Sequence, residues 1–92
     1  MDVFELKIRN AGVDGRAPCL RPVFAWRANE ACDQFTVQVA SDPAFCRLLL
    51  LRDTEKRCLE FDSAPLNRDR TYYVRIRSGL GEWTCVKFLT EK

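Results

Sequence analysis

The chain predicts an all-β fold, a seven-stranded antiparallel sandwich, and three observations carry that prediction. Tyr72, Val74 and Ile76 alternate strictly with Tyr73, Arg75 and Arg77, a period of two rich in aromatic and β-branched residues. Seven such short runs follow one another at roughly 8–12-residue spacing with turn chemistry between them, and no helical period interrupts them. Leu66 stands six residues before Tyr72 across a polar turn, the pattern of a chain crossing between two packed sheets at a tyrosine corner.

The first strand takes Phe4, Leu6 and Ile8 against Glu5, Lys7 and Arg9. Asn10 to Gly15 reads as loop from its Gly, Asn and Asp content. Pro18 and Pro22 bracket an extended segment that cannot be a central strand throughout. Phe24 and Trp26 are the inward residues of the second strand, with Trp26 a core anchor between the sheets. After a polar turn at Asn29–Asp33, Phe35, Val37 and Val39 face inward in the third, which Ser41-Asp42-Pro43 ends. Phe45 to Leu51 is ambiguous, with Arg47 to Leu51 reading either as a strand buried on both faces or as a short helical turn. The following Arg52–Lys56, read as a polar turn, favours the strand by length. Should the leucines lie on an edge, they need a partner or invite aggregation. Leu59 and Phe61 belong to a fifth strand with Glu60 outward, and Ser63-Ala64-Pro65 leads to Leu66. Gly79 and Gly81 bend the chain back after Ile76. Trp83 to Thr90 is the last strand, with Val86 and Phe88 inward.

Ninety-two residues with 47% hydrophobic content suit one small domain, residues 1–92, with a single core between the sheets. The formal charge of +2 is mixed along the chain, which argues against nucleic-acid and acidic-membrane partners. No run approaches the about 18 apolar residues of a membrane helix. The start, Met1 to Leu6, lacks the basic and apolar regions of a secretory signal. A cytoplasmic location is expected, with the chain a piece of a longer protein. The five cysteines are scattered singly through the chain and are expected to be reduced thiols, several of them apolar fillers.

The chemistry is bounded by what is missing. Histidine is absent, so neither a Ser–His nor a Cys–His pair can form, and no Cys spacing suits zinc. No glycine-rich phosphate loop occurs, and no cofactor is expected. Asp53, Glu55, Glu60, Asp62 and Asp69 are acid/base candidates in principle, but their positions give no reason to converge and they read as solvated turn residues. Cys58 and Cys85 have neither a His partner nor a helix N-terminus to depress a thiol pKa, and they read as core or edge thiols. The remaining constellation is Tyr73, Arg75 and Arg77 with Trp83. On one outer face these residues make either a cation–π ladder that stiffens the sheet or a contact surface. That surface would take a flat ligand such as a sugar ring, or anchor a neighbouring domain.

The chain resembles the fibronectin type III family through Leu66-x5-Tyr72-x-Val74-x-Ile76, Trp26, Phe35-x-Val37-x-Val39 and Phe88-x-Thr90. A narrower resemblance is to the small β-sandwich at the N-terminal end of bacterial α-L-rhamnosidases. It rests on Pro22-Val23-Phe24-Ala25-Trp26-Arg27, Gln38-Val39-Ala40-Ser41, Asp53-Thr54-Glu55, Arg70 to Arg77 and Gly81-Glu82-Trp83-Thr84. The chain departs from that pattern where Asp53-Thr54-Glu55 lacks the usual turn glycine and where Val74 replaces a frequent Trp. The resemblance implies a non-catalytic accessory module of a glycoside hydrolase whose catalytic carboxylates sit on a separate α-helical domain. Its partners would be neighbouring domains of the same chain. A carbohydrate-binding module using Trp83 and Tyr73, or a stand-alone interaction domain, are the other expectations.

Overall fold

The computed structural model describes residues 3–92, with Met1 and Asp2 outside the described part. Seven strands form two packed antiparallel sheets, and there is no helix among the described residues. β1 (Val3–Ile8), β2 (Val23–Ala28) and β5 (Cys58–Glu60) make one sheet in the order β1-β2-β5. β3 (Phe35–Ala40), β4 (Leu48–Thr54), β6 (Thr71–Ser78) and β7 (Thr84–Leu89) make the other, in the order β4-β3-β6-β7.

The core is the set of inward residues of both sheets. Phe24, Trp26, Phe35, Val37, Val39, Phe61, Leu66, Tyr72, Val74, Ile76 and Phe88 are all buried in one cluster. Phe24 meets Phe88 edge-on at 5.6 Å, and Trp26 meets Phe35 at the same distance. Each large ring buried this way withdraws roughly 150–250 Å² from water, so this layer carries most of the fold's stability.

The Leu66–Tyr72 crossing is built as a corner. Leu66 is buried, and the Asn67 backbone N–H donates to the Tyr72 hydroxyl at 2.9 Å. Thr90 ties the same corner to the end of the chain. It accepts from the Arg70 N–H at 2.9 Å and donates through Oγ1 to the Asn67 carbonyl at 2.6 Å. Beyond β1, the segment between the prolines bends at Cys19 and Leu20 instead of running extended as expected, and Ala17 just before it makes a parallel bridge with Thr90. Val3 lies beside Thr84, whose hydroxyl donates to the Val3 carbonyl. β1 and β7 therefore run in the same direction, with the start of β1 and the end of β7 at opposite ends of the sandwich.

Three further local expectations need correction. Phe4 does not share a face with Leu6: the β1–β2 register slips between Val3 and Glu5, so Phe4 is the extra residue of a bulge. Val3 fills the core place, and Phe4 is 51% exposed, 5.9 Å below the Arg27 guanidinium. Arg52 to Thr54 continue β4 rather than turning, because their polar side chains have partners. Arg52 pairs with Asp62 through two bonds of 3.2 and 2.9 Å, and Asp53 accepts from Thr36 Oγ1 at 2.8 Å. Finally, β4 is not buried on both faces: it is an edge strand in which only Leu50 is buried, while Leu48, Leu49 and Leu51 are exposed.

Candidate functional site: the outer face of the four-stranded sheet

The alternation that sends Tyr72, Val74 and Ile76 inward sends Tyr73, Arg75 and Arg77 outward on β6. Their neighbours in register are Gln38 and Thr36 on β3, and Lys87 and Cys85 on β7. Gly79, at φ +55°, allows the tight reversal after β6, and Trp83 enters the same face just before β7 begins. The expected stacking is present: the guanidinium carbons of Arg75 and Arg77 lie 4.1 and 4.5 Å from the Trp83 ring.

The loop after β3 adds a layer that was not expected. Phe45 folds over the face, is buried, and lies 4.3 Å from the Arg75 guanidinium and 6.5 Å from the Tyr73 ring. Arg75 thus contacts both Phe45 and Trp83 while its Nε donates to Gln38 Oε1 at 2.7 Å. Phe45 has φ +55°, a left-handed backbone that costs a bulky residue about 1–3 kcal/mol. Asp42 holds it there. Its carboxylate accepts the Arg47 and Cys46 backbone N–H groups at 2.8 and 3.1 Å, and its carbonyl accepts that of Phe45 at 3.2 Å. Those two backbone donors, Arg47 first, keep the Asp42 carboxyl below its ordinary pKa.

This geometry corrects the picture of an open aromatic platform. Trp83 and Tyr73 are half-buried, as are Arg75 and Arg77. Two guanidinium groups lie against Trp83, and Phe45 packs on Tyr73. Ser41-Asp42-Pro43 marked the loop in the sequence, but only the fold brings Phe45 next to Arg75.

The other candidate groups do not assemble into a reactive centre. Asp62 pairs with Arg52, Glu60 with Arg21 at 3.2 Å, and Asp69 with Arg16 at 2.8 Å. Arg52 lowers the Asp62 pKa mainly by hydrogen bonding, the opposite of what a general acid requires. All five cysteines are free. Cys19 and Cys32 are buried as fillers, Cys58 is half-buried, and Cys46 and Cys85 are exposed. Burial raises the Cys85 pKa, partly offset by Arg75, which keeps the thiol in its weakly nucleophilic form. Among the described residues no group of three or more His, Cys, Asp or Glu is placed to hold a metal.

No protein-family model matches the chain, and no curated protein matches it. Among solved structures it is similar to a β-sandwich protein obtained by computer-based redesign. The TM-score is 0.73 at 17% identity, over 99% of this chain and 95% of that one. At that identity the likeness carries the β-sandwich architecture alone.

Proposed function

We propose that this chain is a non-catalytic interface module of fibronectin type III kind, an accessory domain that packs against neighbouring domains of the same chain. One observation carries this reading: the most elaborated surface of the molecule, Tyr73–Arg75–Trp83–Arg77 under Phe45, is braced and half-exposed and contains no acid–base pair. Trp, Tyr and Arg are the residue types that dominate binding energy at protein interfaces, and a pre-ordered stack loses little side-chain entropy on docking. The resemblance to the N-terminal sandwich of bacterial α-L-rhamnosidases supplies the parent, a glycoside hydrolase whose catalysis lies outside these residues.

The test is the reading frame beyond Lys92 together with the full chain. A frame that continues into an α-helical domain, with backbone amides of 73–77 and 84–87 gaining hydrogen-exchange protection in the whole protein, supports the proposal. A stop codon directly after Lys92 overturns it. Tryptophan emission that shifts with L-rhamnose or pectin fragments would instead assign the face to carbohydrate. Turnover of a nitrophenyl glycoside by the 92 residues alone would overturn the non-catalytic reading altogether.

A further inference from the structure

We propose that the groove between β1 and β7 takes an extended peptide of alternating apolar and acidic residues, added as a strand to the open edge of β7. This site needs no neighbouring domain on the Trp83 face, and a stop codon after Lys92 would leave it untouched.

β7 is hydrogen-bonded to β6 alone in its sheet, and β1 to β2 alone in the other. Opposed residues of an antiparallel ladder alternate between bonded and unbonded pairs. The Thr90 N–H donates to the Arg70 carbonyl at 2.9 Å. Phe88 and Val86, in phase with Thr90, therefore bond to β6, while Leu89 and Lys87 turn their backbone groups to the open edge. Ala17 fixes that direction. Its N–H donates to the Leu89 carbonyl at 2.9 Å, and its carbonyl accepts the Glu91 N–H at 2.8 Å. A short piece of this chain is thus already seated on the edge in parallel. Two residues back, the Lys87 backbone groups have no backbone partner among the described residues. On the facing wall the Arg9 N–H donates to the Val23 carbonyl at 2.8 Å, and Lys7 opposes Ala25. The same alternation turns the backbone of Leu6 and Ile8 into the groove.

The groove, about 550 Å³, has Leu6, Ile8, Val86 and Phe88 along its floor. Leu6, Ile8 and Val86 are only half-buried. An added strand gains affinity from its main chain and specificity from alternate side chains. Those directed at this floor are apolar. The next ones meet the rims, where Lys7 and Lys87 are exposed and have no ion-pair partner among the described residues. Asp14, the acid lining the groove, is already held by Arg16 through its backbone N–H at 3.0 Å and its side chain at 3.7 Å. Opposite charges facing across strands are favourable and like charges are not, so the outward residues of the peptide are acidic.

Titrating a synthetic Val-Glu-Val-Glu-Val-Glu peptide into the isotope-labelled chain, followed by amide NMR, tests this, with Val-Lys-Val-Lys-Val-Lys as its counterpart. Below about 1 mM peptide, the amides of Leu6, Ile8, Lys87 and Leu89 should shift and exchange more slowly with water. The lysine peptide should bind about threefold more weakly or worse, and Lys87→Glu should reverse that order. Lys87→Pro should abolish binding and leave the fold intact, because that N–H serves no bond within the sheet. Should that variant not fold, the reversal by Lys87→Glu decides alone. No shift at about 1 mM, equal binding of the two peptides, or an order that Lys87→Glu leaves unchanged would each overturn the proposal. So would shifts confined to β4, or shifts that follow protein concentration without peptide, which would assign another edge or a second copy.

Discussion

The two outer faces of the sandwich follow the same alternation in sequence and are built differently. On the three-stranded sheet, Glu5, Lys7 and Arg27 stand out around the small Ala25, and the ion pair between Arg27 and Glu5 spans 3.6 Å with both side chains largely in solvent. On the four-stranded sheet, Phe45, Arg75, Trp83 and Arg77 interlock and bury much of their own surface. A period of two decides which residues leave the core. Whether those residues then meet water or one another depends on the loops that reach over the face, here Phe45 from the β3–β4 loop and Trp83 from the β6–β7 turn.

This contrast can be broken most sharply at Trp83. Replacing it with Ala removes both guanidinium contacts and a half-buried ring, and should cost about 2–3 kcal/mol in urea unfolding. A loss below about 0.5 kcal/mol would mean that the stack is decorative. Arg75→Lys comes next, at about 1 kcal/mol, because an ammonium cannot lie flat between two rings while bonding Gln38. On the opposite face Arg27→Ala should stay within about 0.5 kcal/mol, as exposed ion pairs do. Equal effects from Arg75 and Arg27 would erase the distinction between the faces.

Acid should separate the faces more gently. Asp42 and Asp62 have lowered carboxyl pKa values in the folded protein, so the unfolded chain binds more protons than the native state as pH falls. Their stabilisation is complete above the ordinary value of about 3.8 and fades as pH drops through the depressed folded values. Asp42→Asn should flatten that fall. Tryptophan emission should also respond to acid before global unfolding, because Asp42 holds the loop over Arg75, which lies against Trp83. A pH profile identical in wild type and variant would detach Asp42 from the stack. The smallest effect is chemical: a thiol reagent should label Cys46 and Cys85 in the native state, and reach Cys19 and Cys32 only on unfolding.

The strands and their inward residues were legible in the sequence because burial on one face imposes a local, periodic constraint. Phe24, Val37 and Ile76 declare themselves through their immediate neighbours. The features that escaped are non-local or aperiodic. Phe4 leaves its expected face because one extra residue in β1 shifts the register, and no residue type marks that slip. Arg52 and Asp53 look like turn residues until Asp62 and Thr36 supply partners across the sandwich and the sheet. Phe45 looks like an ordinary loop residue, and its contact with Arg75 lies 30 positions away in the chain. Trp83 and its arginines were recognisable as a constellation, but the packing of Phe45 on Arg75 was not.

The parallel course of β1 and β7 has a mechanical consequence. Val3 and the end of β7 lie at opposite poles of a body about 38 Å long. Tension applied through them runs along the strands and loads the β1–β2 and β6–β7 ladders in shear. Bonds in a sheared ladder must yield together, whereas those in a peeled hairpin fail one at a time. Strung between neighbours, such a domain would act as a stiff link, with the Ala17–Thr90 bridge and the Thr84–Val3 bond as its first resisting contacts.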